Sequence, residues 1–138
     1  MSFIRPGAAA DLADIAAIQA ASPEAAQWLP DDYLRFDFRV CILDDRVAGF
    51  AVSRITAPDE RELLNLAVAP EYRRRGAGAG LVRSLMTGTT TSVFLEVRES
   101  NQAARVFYKT LGFQEVGVRP EYYASPPESA IVMKFHSC

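Results

Sequence analysis

Residues 68–79 read Val-Ala-Pro-Glu-Tyr-Arg-Arg-Arg-Gly-Ala-Gly-Ala, and this stretch constrains the fold more than any other. An apolar run from Leu63 to Val68 leads into it, and an apolar helical pattern of Leu81, Val82 and Leu85 follows it. Strand, glycine-rich loop, then helix start is an order that builds an anion site. The first N–H groups of a helix have no partner within it, and the aligned peptide dipoles add partial positive charge there. Gly76 and Gly78 let the backbone approach a diphosphate without side chains intervening. The P-loop pattern needs a longer gap between its glycines and a following lysine. Here one residue separates Gly76 from Gly78, and no lysine follows. The dinucleotide fingerprint needs a third glycine where Leu81 stands. The expectation is a phosphorylated cofactor of another kind. A basic surface loop that happens to carry glycines is the alternative.

Composition narrows the partners. A length of 138 residues predicts one domain over 1–138, large enough to bury a core. Apolar content of 49% and charged content of 23% set aside a disordered chain. A net charge of −2 carries no global signature for nucleic acid or membrane, so the triplet Arg73, Arg74, Arg75 points to a local anion. Cys41 and Cys138 form neither a disulfide framework nor a metal pattern, and the expected compartment is the cytoplasm. His136 is the one histidine, so neither a histidine-based metal site nor a Ser-His triad is expected. No signal peptide and no long apolar span is apparent.

The periodicity predicts a mixed α/β chain. Phe3–Arg5 reads as a first strand, and Leu12, Ile15 and Ile18 mark a helix over 8–20. Residues 28–36 read as a short second helix or an irregular cover. Strands are expected at 37–43 and 47–55, joined by Asp44-Asp45-Arg46, and at 61–68. A helix over 77–86 and a β-branched strand over 91–97 follow. Ser100 or Asn101 can cap a helix whose stripe is Ala104, Phe107, Tyr108 and Leu111, with Gly112 at its end. Strands over 113–118 and 130–136 close the chain around a long loop, 119–129.

Three separated strings, in order, resemble one family. Val-x-Pro-x-x-Arg-x-x-Gly-x-Gly-Ala at 68–79 is similar to the acetyl-CoA-binding motif of the GNAT superfamily of N-acetyltransferases. Leu95-Glu96-Val97-Arg98 with Ser100-Asn101 resembles that fold's following strand and helix start. Ala104-x-x-x-Tyr108-x-x-x-Gly112-Phe113 resembles its late signature. With Leu-Asn-Leu-Ala-Val at 64–68 and the late Tyr122-Tyr123, the resemblance is greatest to the RimI type, bacterial N-terminal acetyltransferases acting on a ribosomal protein. It covers 61–135 well and the first 60 residues in outline. It implies an α+β fold with a mostly antiparallel mixed sheet of six to seven strands, splayed between strands 4 and 5, and about four helices.

The resemblance also implies roles. Backbone N–H groups of 74–79, spanning Arg74, Arg75, Gly76, Ala77, Gly78 and Ala79, hold the pyrophosphate, with Arg73 in the same motif. Leu66, Ala67 and Val68 pair with the pantetheine arm, and an N–H at that strand end stabilises the oxyanion. Val93, Leu95 and Val97 share one strand face and Phe94 and Glu96 the other. Glu96 corresponds to the general base, with a structural carboxylate pairing with Arg98 or another arginine as the alternative. Tyr108 corresponds to the acid that protonates the departing thiolate, with a core tyrosine as the alternative. Asn101 is a helix cap to which the resemblance adds a contact to the cofactor arm. Tyr122 and Tyr123 either pack a long hairpin or hydrogen-bond an acceptor peptide.

Two departures stand out. Glu128-Ser129 replaces the usual Glu-Asp pair after the tyrosines, and the helix after the phosphate loop is short. The expected acceptor is a protein N-terminus, with a small amine or a lysine as alternatives, in a monomer or homodimer. A non-catalytic acyl-CoA-binding sensor needs neither Glu96 nor Tyr108. An RNA module built on Arg73–Arg75 sits poorly with an acidic chain.

Overall fold

A computed structural model describes residues 2–124 and 127–136. Cys138 and residues 125 and 126 of the expected loop lie outside them. Seven strands form one sheet: β1 (Ser2–Pro6), β2 (Asp37–Leu43), β3 (Arg46–Ala57), β4 (Glu60–Val68), β5 (Ser92–Arg98), β6 (Gln114–Ala124) and β7 (Pro127–His136). Their order is β1-β2-β3-β4-β5-β7-β6. The β1–β2, β2–β3, β5–β7 and β6–β7 pairs are antiparallel. The β4–β5 pair is parallel and its register runs only over Glu60–Glu62 against Ser92–Phe94. The α-helices are α1 (Leu12–Ala20), α2 (Ala77–Ser84) and α3 (Gln102–Thr110). A 3-10 helix over Pro30–Arg35 stands where a short second helix or an irregular cover is expected at 28–36, and shorter 3-10 turns lie at Ala9–Asp11 and Pro70–Tyr72. This is the expected fold class. No helix among the described residues is long and apolar enough to cross a membrane.

The chain forms two compact units. One runs to Arg54 and resumes over Leu63–Thr87, and the other takes Ile55–Glu62 and the chain from Gly88 onward. In the first unit, α1 lays Ile15 and Ile18 into a core with Tyr33, Phe38, Val40, Phe50 and Val52. Tyr33 is the polar tie within that core. Its hydroxyl donates to Gln19 and accepts from Asn65 Nδ2 at 3.0 Å, and burial pushes its phenol up to about 12. The β2–β3 hairpin turns on Asp44 and Asp45, both at positive φ, as a two-residue primed turn requires. A side chain at Gly49 would lie 2.8 Å from the Ala67 carbonyl oxygen, so glycine permits the close approach of β3 to β4 there.

The second unit has a two-faced sheet. Val93, Leu95 and Val97 of β5 pair with Phe135, Met133 and Ile131 of β7, and this face is apolar. Tyr108 and Phe113 join it through a ring chain to Phe135, with centroids 5.4 and 5.8 Å apart. Gly112 at φ +98° ends α3, where the Phe113 N–H bonds the Tyr108 carbonyl at 3.0 Å. The opposite face presents Phe94, Glu96 and Arg98 with Ala130, Val132 and Lys134.

Two expectations are corrected. The helix over 77–86 stops at Ser84. Residues 119–124 and 127–129 of the expected loop are strand, because β6 continues to Ala124 and β7 starts at Pro127. The ladder passes from Arg119↔Ala130 to Tyr123↔Glu128, so residues 120–122 oppose Ser129 alone. Pro120 has no N–H to give and Glu121 sits at φ +55°, which makes a bulge in a strand. Tyr122 and Tyr123 therefore lie on strand β6.

Asp11 supports the entry to α1. It accepts from Arg5 through both oxygens, at 2.8 and 2.9 Å, and from the Ala8 N–H at 2.8 Å. Its side chain is 7% exposed, and the Arg5 hydrogen bonds hold its carboxyl below the usual range. A lowered folded value means that its contribution is complete above the unfolded value of about 3.9 and fades as pH falls through the folded one. Asp11→Asn is therefore expected to lower stability at pH 7. The gap to the wild type narrows below about pH 4, which urea unfolding at the two pH values measures.

Candidate active site

The turn after β4 is held by its own side chains. A 3-10 turn over Pro70–Tyr72 follows Val68, and Arg74 and Gly76 take positive φ, +65° and +84°. Arg73 folds back, donating from Nε to the Val68 carbonyl at 3.1 Å and from Nη2 to Ser22 Oγ at 3.2 Å. Arg75 lies over the Tyr72 ring at 5.7 Å and reaches Asp44 at 3.5 Å, while Arg74 is exposed. The arginines thus do different things, and Arg73 braces the turn.

Gly76 is the N-cap of α2, and the first helical bond runs from the Gly80 N–H to the Gly76 carbonyl at 2.9 Å. The N–H groups of Ala77, Gly78 and Ala79 precede that bond and have no acceptor among the described residues. Three unpaired donors at the positive end of a helix fit a diphosphate. A Cβ at Gly76 would meet nothing within 4 Å. Its φ of +84° is a further reason for glycine there, beside the close approach to a diphosphate expected from the sequence. On β4, Ala67 is buried and Leu66 and Val68 are half-buried, beyond the residues paired with β5.

Glu96 is the central group of the second unit. Its side chain is 10% exposed, its Oε1 accepts from Arg119 Nη1 at 2.7 Å, and its Oε2 is buried with no hydrogen-bond partner among the described residues. Such an atom costs about 1–3 kcal/mol of lost solvation. The structural alternative is a pairing with Arg98 or another arginine; the partner is Arg119, while Arg98 meets Glu128 at 3.3 Å and lies over the Tyr123 ring at 4.2 Å.

Around this carboxylate the late tyrosines assemble. Tyr122 and Tyr123 meet edge to face, centroids 5.1 Å apart, and Arg119 lies over Tyr122 at 4.8 Å. Burial, then the nearby Glu96 charge, pushes the Tyr123 phenol up. Glu128, of the departing pair Glu128-Ser129, accepts from the Ser100 N–H at 2.5 Å; its bonds to Ser100, then to Arg98, hold its carboxyl below the usual range. The structure thus brings together Glu96, Tyr122 and Tyr123.

Tyr108 is not in that cluster. It lies on the apolar side, packed on Phe107 and Phe113, and burial pushes its phenol well above the ordinary range. Asn101 caps α3, its Oδ1 accepting from the Ala104 N–H at 3.1 Å. Sequence reasoning missed Arg119, whose contact with Glu96 spans 23 residues. An arginine three positions before a tyrosine pair is the available signal, and only the strand pairing turns it into a contact.

Comparison with known proteins gives the class of the chain. The model of the Acetyltransferase (GNAT) family matches residues 10–113, and the chain belongs to that family. The ribosomal protein bS18-alanine N-acetyltransferase of Salmonella typhimurium is 43% identical over 96 residues, 65% of this chain and 64% of that protein. The match thus spans under two-thirds of that relative's length. The crystal structure of the ribosomal-protein-S18-alanine N-acetyltransferase from Escherichia coli superposes with a TM-score of 0.82 and 30% identity, covering 100% of this chain and 96% of that one. A GNAT family acetyltransferase from Elizabethkingia anophelis with acetyl-CoA bound shares the fold, with a TM-score of 0.79 and 17% identity over 98% of this chain and 97% of its own. The RimI-type resemblance read in the sequence is borne out by the first two.

Gly76 offers a test of the loop. Gly76→Ala is expected to destabilise by about 1–2 kcal/mol, because left-handed backbone is costly for an L side chain. With open space around the Cβ, Gly76→Asn costs less, since asparagine tolerates this region. Thermal unfolding of both variants measures the difference; equal, negligible shifts contradict it.

Proposed function

We propose that this chain moves an acetyl group from acetyl-CoA to the α-amine of a protein N-terminus. The single observation that carries the reading is Glu96: a carboxylate nine-tenths buried, with one oxygen tied and the other unpartnered. A structural carboxylate in such a place is ordinarily satisfied on both oxygens. One held for proton transfer keeps an acceptor free for the amine or for an intervening water.

The roles proposed are those the family resemblance implies. The N–H groups of Ala77, Gly78 and Ala79 bind the diphosphate, and the backbone of Leu66, Ala67 and Val68 binds the arm. When bound, acetyl-CoA supplies an acetyl thioester, whose carbonyl carbon takes the amine and whose sulfur leaves as a thiolate. Glu96 removes the amine's proton on its own side of the second unit's sheet. Tyr108, on the apolar side, holds a proton on a phenol that burial keeps neutral, ready for the thiolate. The register of β5 with β4 ends at Phe94, before Glu96. An N–H directed at the developing oxyanion is worth about 2.7–4 kcal/mol. Asn101 caps α3 and adds a contact to the arm, and Tyr122 and Tyr123 offer the acceptor peptide flat walls with one hydrogen bond each.

The acceptor reading has chemical support besides the names of the relatives. An α-amine has a pKa of about 7.7–8.0 against about 10.4 for lysine, so one carboxylate deprotonates it far more readily near pH 7. Incubation with acetyl-CoA and peptides with free or blocked N-termini, read by mass spectrometry, tests it. Acetylation confined to free N-termini is expected. Acetylation only of lysine, or only of small amines, overturns the acceptor while leaving an acetyltransferase. No transfer to any amine, with acetyl-CoA still bound, is the sensor outcome. Tyr108→Phe is expected to lower kcat at least about tenfold, as loss of a general acid does, with acetyl-CoA affinity retained in calorimetry.

A further inference from the structure

We infer that Arg119 is a positioning residue for Glu96, holding Oε1 so that Oε2 alone faces the acceptor amine. The inference rests on the reading of Glu96 as the base. Glu96 sits on β5 and Arg119 on the edge strand β6, with β7 between them. The cross-strand rows are Glu96–Val132–Gly117 and Arg98–Ala130–Arg119. Arg119 must therefore cross β7 and shift one row to reach Glu96.

Two of the positions flanking that path are small, Gly117 and Ala130, while Val132 stands in the Glu96 row. Gly117 presents no side chain, and a Cβ there would find its nearest neighbour, Val132 Cβ, 4.0 Å away. Ala130 presents only a methyl group and is fully buried. The Arg119 Nη1 ends 2.7 Å from Oε1. The Tyr122 ring lies against the guanidinium, with its centroid 4.8 Å away. The bulge at 120–122, with Glu121 at φ +55°, turns the strand so that Tyr122 meets an arginine only three residues earlier.

The outcome is an asymmetric carboxylate. A buried glutamate with neither oxygen held can rotate about its last torsion, which is broad and roughly two-fold. A charge-assisted bond to one oxygen removes that freedom and fixes the direction of the other. Arg98, the nearer arginine in sequence, does not do this because Glu128 and Tyr123 engage it. Arg119 itself is 55% exposed, so the pair contributes orientation more than stability.

Steady-state kinetics on Arg119→Gln, Arg119→Lys, Glu96→Gln and the Arg119→Gln/Glu96→Gln double variant test this. Thermal unfolding and acetyl-CoA affinity report that each is folded. Arg119→Gln is expected to lower kcat about 10–100-fold, as misplacing a catalytic group does, with KM for acetyl-CoA unchanged. Arg119→Lys, which keeps a cation on the same path, recovers most of the loss. In the Glu96→Gln background, Arg119→Gln costs nothing further, because its action runs through Glu96. Wild-type kcat in Arg119→Gln, a lysine variant as slow as the glutamine one, or penalties that multiply in the double variant overturn the positioning role. Full turnover in Glu96→Gln alone removes the base itself, and so separates failure of the proposed function from failure of this inference.

Discussion

Everything proposed for this chain depends on one half-satisfied carboxylate. Water leaves Glu96 almost completely, and a single 2.7 Å bond from Arg119 replaces it on one oxygen. Leaving the other oxygen bare works against folding, and the surrounding structure absorbs the cost. The apolar rows of β5 and β7 and the rings of Tyr108, Phe113 and Phe135 fix the strand that carries Glu96. That strand then has no freedom to slip, since a shift of one residue would move Glu96 into the apolar face. Core packing on one face is what makes a strained polar site on the other face tenable.

The glycine-rich loop proposed to hold the diphosphate works differently. It leaves donors unpaired at the start of α2, where the helix dipole makes an anion welcome, and spends its arginines mostly on itself. Arg73 closes the turn on the Val68 carbonyl and Ser22, and Arg75 leans on Tyr72 and Asp44. A basic triplet that reads as three phosphate ligands is thus partly a scaffold that holds the backbone donors in place. α2 is only eight residues long, yet its first-turn N–H groups are as free as those of a longer helix.

Much of this could be read from residues alone, where one local rule acts. Alternation along 93–97 put Glu96 opposite the apolar face, the spacing of Ile15 and Ile18 put α1 on the core, and Gly112 ended α3. The misreadings came where local signals and strand pairing disagree. Pro120, Glu121 and the polar residues after them carry every mark of a loop, yet pairing with β7 keeps 114–124 extended on both sides of a bulge. The contact of Arg119 with Glu96 follows from that pairing, so it could not be read before the hairpin was known. The same holds for the bond of Arg5 to Asp11, which joins β1 to the turn before α1, and for Asn65 reaching Tyr33 across 32 residues. The positive φ of Gly76 was likewise not legible, because a sequence shows that a glycine is present but not which φ it takes.

Replacing the unpartnered oxygen by an amide tests the account most directly. In Glu96→Gln the side-chain carbonyl can still accept from Arg119, so the fold and the acetyl-CoA affinity stay near those of the wild type while the proton acceptor is lost. The measurement is kcat with an N-terminally free peptide at pH 7, beside the acetyl-CoA dissociation constant. The account predicts a fall of about 10²–10⁴-fold in kcat with the dissociation constant little changed, the usual loss when a general base is removed. Wild-type kcat in this variant would contradict it and leave Glu96 a structural carboxylate.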